Sequence, residues 1–190
     1  MKKKAIILTL FLILIISLTG CGKKEETTQT EKEKSIINFL TNYTLTTSTQ
    51  QDNFFYIFTK DGKYVRHHGA KPKKDKTSYL VMDTGTYEIK DNTLIINIQK
   101  QFINNYNSNT KTYKLSKLGV TQTEKYPNIE IKTIEDNQTV LEAQRLPRLS
   151  IIKENVPNEL IQYIKGLIND NIDNYDIEKA KSYEYKKEDN

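Results

Sequence analysis

The sequence predicts a mainly β domain, in which an antiparallel meander closes into a barrel or a sandwich and is followed by an amphipathic helix. Three observations support this fold class: segments with alternating apolar and polar residues, turn signals between them, and a change to helical spacing near the carboxyl end. A period of two is typical of strands with one buried face. About seven to nine short strands cannot each bury a face alone, so we expect the sheet to curl on itself.

Turn-forming residues separate the predicted strands. The predicted hairpins are 54–59 and 63–66 around Asp61-Gly62, 85–90 and 93–103 around Asp91-Asn92, and 128–134 and 138–143 around Glu135-Asp136-Asn137. Asp, Asn and Gly tolerate the positive φ angles of tight hairpin turns. An Asn-rich turn at 104–109 leads to a strand with Tyr113 and Leu115 on one face. Segment 36–46 is expected to open the sheet, and segment 149–152 to close it.

The segment 156–175 is predicted to contain the helix. Its apolar residues recur at helical spacing, and they are Leu160, Ile161, Ile164, Leu167 and Ile168. We expect this helix to pack on the β domain, because its polar face carries Glu159, Gln162 and Lys165 and lacks the basic rim of a membrane-surface helix. The charged tail 176–190 is expected to fray.

Residues 1–20 have the features of a secretory leader. Lys2 to Lys4 are basic, and the apolar run 5–16 falls within the length of about 7 to 15 residues that secretory signals use. The leader ends at Leu18, Thr19 and Gly20, and these residues with Cys21 resemble the lipobox of bacterial lipoproteins. The resemblance implies that Cys21 is diacylated and that a dedicated signal peptidase cuts before it. The protein would then be anchored at the extracytoplasmic face of the cell membrane.

The segment 21–34 is highly charged after its cysteine, so it is expected to be a flexible tether that precedes a β-barrel-like domain over 35–155. Removing the leader lowers the number of Lys and Arg residues from 29 to 26, against 24 acidic residues, which leaves a net charge of about +2. The basic residues are spread along the chain, so a nucleic-acid partner is not expected. Since the lipid would occupy the single cysteine, disulfides and thiolate metal sites are not expected either.

Two hairpin segments resemble the repeated hairpins of small bacterial lipocalin-like lipoproteins. They are FTKDGKY at 58–64 and GTYEIKDNTLII at 85–96. The resemblance implies a lipocalin-like barrel with an interior that takes a small apolar ligand.

The densest apolar cluster consists of Phe54, Phe55, Tyr56, Phe58 and Tyr64. Both faces of this strand are hydrophobic, which is typical of a central core strand. The alternative is that some of these side chains line a cavity for an apolar ligand or form a docking face, because an eight-stranded barrel has space for one small ligand.

No catalytic residue, metal site or cofactor is predicted. His67 and His68 are adjacent in a strand, so their side chains should point to opposite faces. The segment 169–174 imitates the first half of a calcium-binding loop, but Ala180 replaces the glutamate that would complete the site. The sequence also lacks the motifs of serine hydrolases, phosphate-binding loops and zinc proteases.

We therefore expect a non-enzymatic, monomeric surface lipoprotein that binds a small apolar ligand or an envelope protein. Three alternatives remain. The chain could be a protein-interaction, immunity or exclusion lipoprotein without a cavity. It could be a hydrolase whose carboxylates no motif marks, or its leader could release a peptide pheromone drawn from Leu14 to Gly20.

Overall fold

The computed structural model of the chain describes residues 30–47, 54–69, 78–152 and 156–184. The leader, the lipobox with Cys21, most of the predicted tether and residues 185–190 lie outside these ranges. Within them, no helix combines the length and the apolar character needed to cross a membrane.

The described residues form an antiparallel β-sheet with one helix before it and two helices after it. The strands are β1 (Leu45–Thr47), β2 (Phe55–Phe58), β3 (Lys63–His67), β4 (Tyr79–Lys90), β5 (Thr93–Asn107), β6 (Thr112–Pro127), β7 (Glu130–Ile134), β8 (Gln138–Ala143) and β9 (Leu146–Ile151). The helices are α1 (Glu31–Asn42), α2 (Asn158–Asn169) and α3 (Ile177–Glu184). In the sheet the strand order is β6-β5-β4-β3-β2-β1-β9-β8-β7. The predicted mainly β class, the antiparallel sheet and the C-terminal helix are confirmed. The meander is interrupted between β6 and β7, and β1 pairs with β9.

The predicted closure into a lipocalin-like barrel is wrong. Strands β6 and β7 are the two ends of the sheet and are not hydrogen-bonded neighbours, although only Asn128 and Ile129 separate them. Ile129 is fully buried, and its N–H donates to the carbonyl of Asn92 at 3.1 Å. The chain therefore enters the core at Ile129. An exposed hairpin turn at this position would instead have paired β6 with β7. Asn128, with φ of 57°, permits the change of direction. The sheet is not closed into a barrel, so it fits an open sheet or the predicted alternative of a sandwich.

Three of the predicted turns lie where the sequence indicated. Gly62 has φ of 78°, and Asp91 and Asn92 have φ of 49° and 56°. Asp136 and Asn137 are also left-handed, in the turn between β7 and β8. These are the residue types that adopt positive φ at low cost.

The Asn-rich turn predicted at 104–109 is wrong for most of its length. Residues 104–107 continue β5 and pair with β6, and the chain turns at 108–111. Pairing with the neighbouring strand therefore outweighs the local preference of asparagine for turns.

The start of the domain is helical, and the prediction of a strand over 36–46 is wrong for most of its length. Helix α1 begins at Glu31, inside the predicted tether, and only β1 remains of the opening strand. Its buried residues are Ile36, Phe39 and Leu40. Their spacing of three and four places all three on one side of a helix, which packs against the sheet.

Each central strand contributes to two cores, because alternate side chains point to opposite faces. We call the face that α1 covers the inner face and the opposite face the outer face. The inner core contains Tyr56, Phe58 and Tyr64 together with apolar residues of β4, β5, β8 and β9. The outer core contains Phe55 and Ile57 with residues of the C-terminal helices.

Helices α2 and α3 cover the outer face. The predicted apolar stripe of α2 is buried there, and Tyr175, Ile177 and Ala180 join the same core. The expectation that the tail 176–190 frays is therefore wrong for 177–184. Two buried apolar positions three residues apart are enough to hold this short helix against the sheet.

Candidate functional site

The inner face carries a row of directly opposed residues across the sheet. From β6 to β9 the row consists of Leu118, Gln101, Asp83, Arg66, Tyr56, Leu45 and Ile151. Directly opposed residues of antiparallel strands point to the same face. Arg66 of β3 and Asp83 of β4 therefore lie side by side in the middle of the sheet.

Arg66 and Asp83 form a buried ion pair. The Nε and Nη2 atoms of Arg66 donate to Oδ2 of Asp83 at 2.8 and 2.5 Å, and the hydroxyl of Tyr64 donates to Oδ1 at 2.7 Å. The side chain of Asp83 has no exposed surface, whereas that of Arg66 is 19% exposed. Both oxygens of the carboxylate thus have donors, as a buried charge requires.

A second carboxylate, that of Glu124 on β6, approaches the same guanidinium. Its Oε2 lies 3.9 Å from Nη1 of Arg66 and accepts a hydrogen bond from the hydroxyl of Tyr126. Its Oε1 accepts a hydrogen bond from Gln122 at 3.1 Å. The Glu124 side chain is 20% exposed. We call the group of Tyr56, Tyr64, Arg66, Asp83, Glu124 and Tyr126 the Arg66 cluster.

Burial dominates the electrostatics of this cluster. Burial raises the pKa of Asp83, and the charge of Arg66 offsets only part of that effect. Burial also raises the pKa of Tyr56 to about 12, and the pKa of Tyr64 well above its ordinary value. Burial alone would lower the pKa of Arg66, but Tyr64 and Asp83 beside it raise the pKa overall. The tyrosines therefore remain neutral, and the guanidinium remains charged.

The cluster holds two carboxylates against one guanidinium. With both carboxylates ionised it carries one excess negative charge in a poorly hydrated setting, where charges interact more strongly than in water. The rings of Tyr56 and Tyr126 lie beside these charged groups in the inner core. Aromatic faces attract cations. This arrangement favours a cationic group near Glu124, the more exposed carboxylate.

An apolar patch lies on the inner face of β4, β5 and β6. It consists of Leu80, Ile103 and Leu118. Leu80 is directly opposite Ile103, and Leu118 lies in the same cross-strand row as Asp83, with Gln101 between them. Leu80 and Ile103 are half-buried, and Leu118 is 46% exposed. The inner face therefore carries both a partly exposed apolar surface and a charged group.

The predicted aromatic cluster is divided between the two faces of the sheet. Tyr56, Phe58 and Tyr64 are buried in the inner core, and Phe54 is half-buried against it. Phe55 lies in the outer core and stacks on His67, with 5.0 Å between the ring centroids. Tyr56 and Tyr64 thus belong to the Arg66 cluster, whereas Phe55 is separated from it by the sheet.

The structure also places the residues considered for metal binding. His67 lies on the outer face, and His68 contacts Phe54 beside the inner core, so the two histidines point apart. Both carboxylate oxygens of Asp173 accept bonds from Nζ of Lys100 at 2.8 Å. An ammonium group therefore occupies the position that a cation would take. Across the described ranges, no three His, Cys, Asp or Glu side chains converge as metal ligands.

Sequence reasoning missed Arg66, Asp83, Glu124 and Tyr126. Asp83 directly follows the apolar run at 80–82. A charged residue next to such a run is a sequence signal of a buried polar group. The pairing of β3 with β4 was also needed, because only the register brings Arg66 opposite Asp83. Glu124 had no comparable signal, since most of its strand is polar.

Comparison of the chain with known protein families, curated proteins and solved structures finds no significant match.

Proposed function

We propose that this protein is a lipid-anchored, extracytoplasmic binding protein without catalytic activity. Its inner sheet face would bind a small ligand that has an apolar body and a cationic group. The observation that carries the proposal is the excess carboxylate of the Arg66 cluster on the same sheet face as the apolar patch. The apolar patch would hold the body of the ligand, and Glu124 would attract its positive charge.

The proposed lipid anchor rests on the sequence of the leader. The basic residues Lys2 to Lys4, the short apolar run and the lipobox ending at Cys21 support it. Two acyl chains on one cysteine would give stable membrane attachment.

Intact-mass analysis of the protein extracted from membranes tests the anchor. The expected mass is that of the chain beginning at Cys21 with a diacylglyceryl group, and Cys21→Ala should move the protein out of the membrane fraction. Recovery of an uncleaved, unmodified chain from membranes would contradict the prediction.

Calorimetric titration tests the binding proposal. The protein would be a soluble chain beginning at Thr30, which contains every described element, and the ligands would be hexylamine and hexanoate. We expect hexylamine to bind at least about tenfold more tightly, because the two ligands share an apolar body and differ in charge. Glu124→Gln should abolish this preference, since it leaves one carboxylate against one guanidinium.

Glu88→Gln is the matched control. Glu88 is an exposed residue of β4 whose neighbours Tyr87 and Ile89 belong to the inner core, so its side chain points to the opposite face of the sheet. The preference for hexylamine should survive in this variant. Equal binding of the two ligands by the unmodified protein, or a preference that survives Glu124→Gln, would overturn the proposal.

The structure gives different support to two alternative functions, a hydrolase and a protein-interaction protein. A hydrolase would need carboxylates that can reach a substrate, but Asp83 has no exposed surface and both its oxygens are bonded. A protein-interaction role is favoured by β6, a long strand at the end of the sheet whose side chains are mostly exposed. Such a strand can pair with an extended segment of a partner. Absence of binding by either hexyl compound would favour this second candidate.

A further inference from the structure

An open concave surface lies beside strands β7 to β9, and none of its lining residues belongs to the Arg66 cluster. Its volume is about 450 Å³, which is within the range of small-molecule sites. Asn128, Glu130, Glu142, Gln144 and Arg148 supply its polar lining. Ala143 and Leu146 supply its apolar lining. We call this surface the β7–β9 depression.

Backbone geometry brings two amide residues together at the depression. Asn128 turns the chain from β6 into β7 with φ of 57°. The backbone N–H of Gln144 donates to the carbonyl of Pro127 at 2.9 Å, which ties the β8–β9 turn to the end of β6. The backbones of Asn128 and Gln144 are thereby held close to each other. Each side chain offers a hydrogen-bond donor and an acceptor.

The charges of the depression balance one another. Nε of Arg148 donates to Oε1 of Glu142 at 2.5 Å, and Nζ of Lys132 lies 2.9 Å from Oε2 of Glu142. Nζ of Lys132 also lies 2.6 Å from Oε1 of Glu130. Two cations thus face two carboxylates. These bonds hold the pKa of Glu142 below its ordinary value, with the hydrogen bond from Lys132 as the main cause.

The ion pairs involve both oxygens of Glu142, whereas the side chains of Arg148 and Glu130 remain 49% and 45% exposed. An exposed guanidinium group suits a carboxylate. An exposed carboxylate suits an ammonium group. Because the network as a whole is neutral, a ligand with one charge of each sign is complementary to it.

We propose that the β7–β9 depression binds a short peptide by its two charged ends. Arg148 holds the carboxylate, and Glu130 holds the ammonium group. Asn128 and Gln144 bond to the peptide group between the two ends, and Leu146 contacts an apolar side chain. This site is separate from the inner-face site and does not depend on it.

The test uses the full-length protein in detergent micelles and calorimetric titration with the dipeptide alanylalanine. Two blocked forms, the N-acetylated dipeptide and the dipeptide amide, each remove one charge. We expect each blocked form to bind about tenfold more weakly than the free dipeptide, because each loses one charge-assisted contact. Variants of Arg148 and Glu130 then show which residue binds each end of the dipeptide.

Arg148→Gln should bind the free dipeptide and its amide equally, since the carboxylate has lost its partner. Glu130→Gln should bind the free and the N-acetylated dipeptide equally. Arg145→Gln is the matched control, because Arg145 lies in the adjacent turn and does not line the depression. It should retain both preferences.

Absence of dipeptide binding at about 10 mM, well above a Kd of about 1 mM, would overturn the proposal. Equal binding of the free and blocked forms by the unmodified protein would also overturn it. Neither result would affect the preference for hexylamine that tests the inner face.

Discussion

His67 is a neutral histidine enclosed by the outer core. It has no exposed surface, it stacks on Phe55, and its Nε2 lies 3.1 Å from the hydroxyl of Tyr175. Its Nδ1 has no hydrogen-bond partner among the described residues. Burial lowers the pKa of His67 to about 3, and the neighbouring His68 contributes in the same direction. Protonating this side chain would place an unpaired charge in the core.

The pKa of His67 makes a specific prediction for the pH dependence of stability. An unfolded histidine has a pKa near 6.5, so between about pH 6.5 and pH 3 the unfolded chain binds more protons than the folded one. The free energy of unfolding should therefore fall as the pH falls. From about pH 6 to pH 4, we expect His67 to account for a loss of about 2 to 3 kcal/mol.

The measurement is urea denaturation of the unmodified protein and of His67→Phe across this pH range. The difference between the two free energies isolates His67, because Asp83 and the other titrating groups are present in both. Phe retains the ring that stacks on Phe55. A difference that does not change with pH would contradict a buried neutral His67.

At the scale of single residues, the sequence predicted turn positions better than buried polar groups. Gly62 and Asp91 were predictable because a tight turn demands positive φ at those positions. Gly85 was not. A Cβ atom there would overlap the carbonyl oxygen of Asn97, beside a register shift between β4 and β5. This constraint comes from Asn97 on the neighbouring strand β5, so the residues around Gly85 give no sign of it.

Among the elements, helix α2 is held to the sheet chiefly by its apolar stripe. Leu160 and Ile164 are fully buried against the outer face. Lys63 donates to the carbonyl of Ile168 at 3.3 Å, near the end of the helix, where carbonyl groups favour cations. Gly166, in contrast, faces open space: a Cβ atom added there would meet nothing within 4 Å.

Gly166→Ala should stabilise the protein. Glycine inside a helix costs about 0.5 to 1 kcal/mol relative to alanine, and no neighbour opposes the added methyl group. We expect the free energy of unfolding to rise by that amount in urea denaturation. Gly62→Ala is the matched control, since its φ of 78° should make the same replacement destabilising. A loss of stability in Gly166→Ala would show that α2 needs glycine at this position.

The elements differ in how far they could be predicted. The hairpins β2–β3 and β4–β5 and the helix α2 have strong local patterns, and they were predicted. Helix α1 was missed because its first residues lie in the charged segment that was predicted as a tether, and its apolar residues from Ile36 onward were assigned to an opening strand. Strand β6 extends well beyond the predicted segment, since its side chains are largely exposed and follow no clear alternation.

On the scale of the whole molecule, the sheet joins two cores through the same strands. Phe55 and Tyr56 are neighbours in the chain but belong to opposite cores. Loss of either core would therefore disturb the other, which favours a single cooperative unfolding transition. The hairpin patterns could not predict that the sheet stays open. Closure would require β6 and β7 to pair, and this depends on the path of Asn128 and Ile129 between them. Burial of Ile129 decides this point.

The final prediction concerns the limits of the folded unit. Residues from Glu31 onward form one compact unit, and both cores are made of residues within it. A chain beginning at Thr30 should therefore have the same denaturation midpoint as the full-length protein. A chain beginning at Tyr43 should be severely destabilised, because it lacks Ile36, Phe39 and Leu40. Burying such a side chain contributes about 1.5 to 3 kcal/mol, so losing three such side chains approaches the whole stability of a domain.

Denaturant titration of the three chains, followed by circular dichroism, measures their midpoints of unfolding. A stable chain from Tyr43 would contradict the role of α1, and a destabilised chain from Thr30 would show that the folded unit begins earlier.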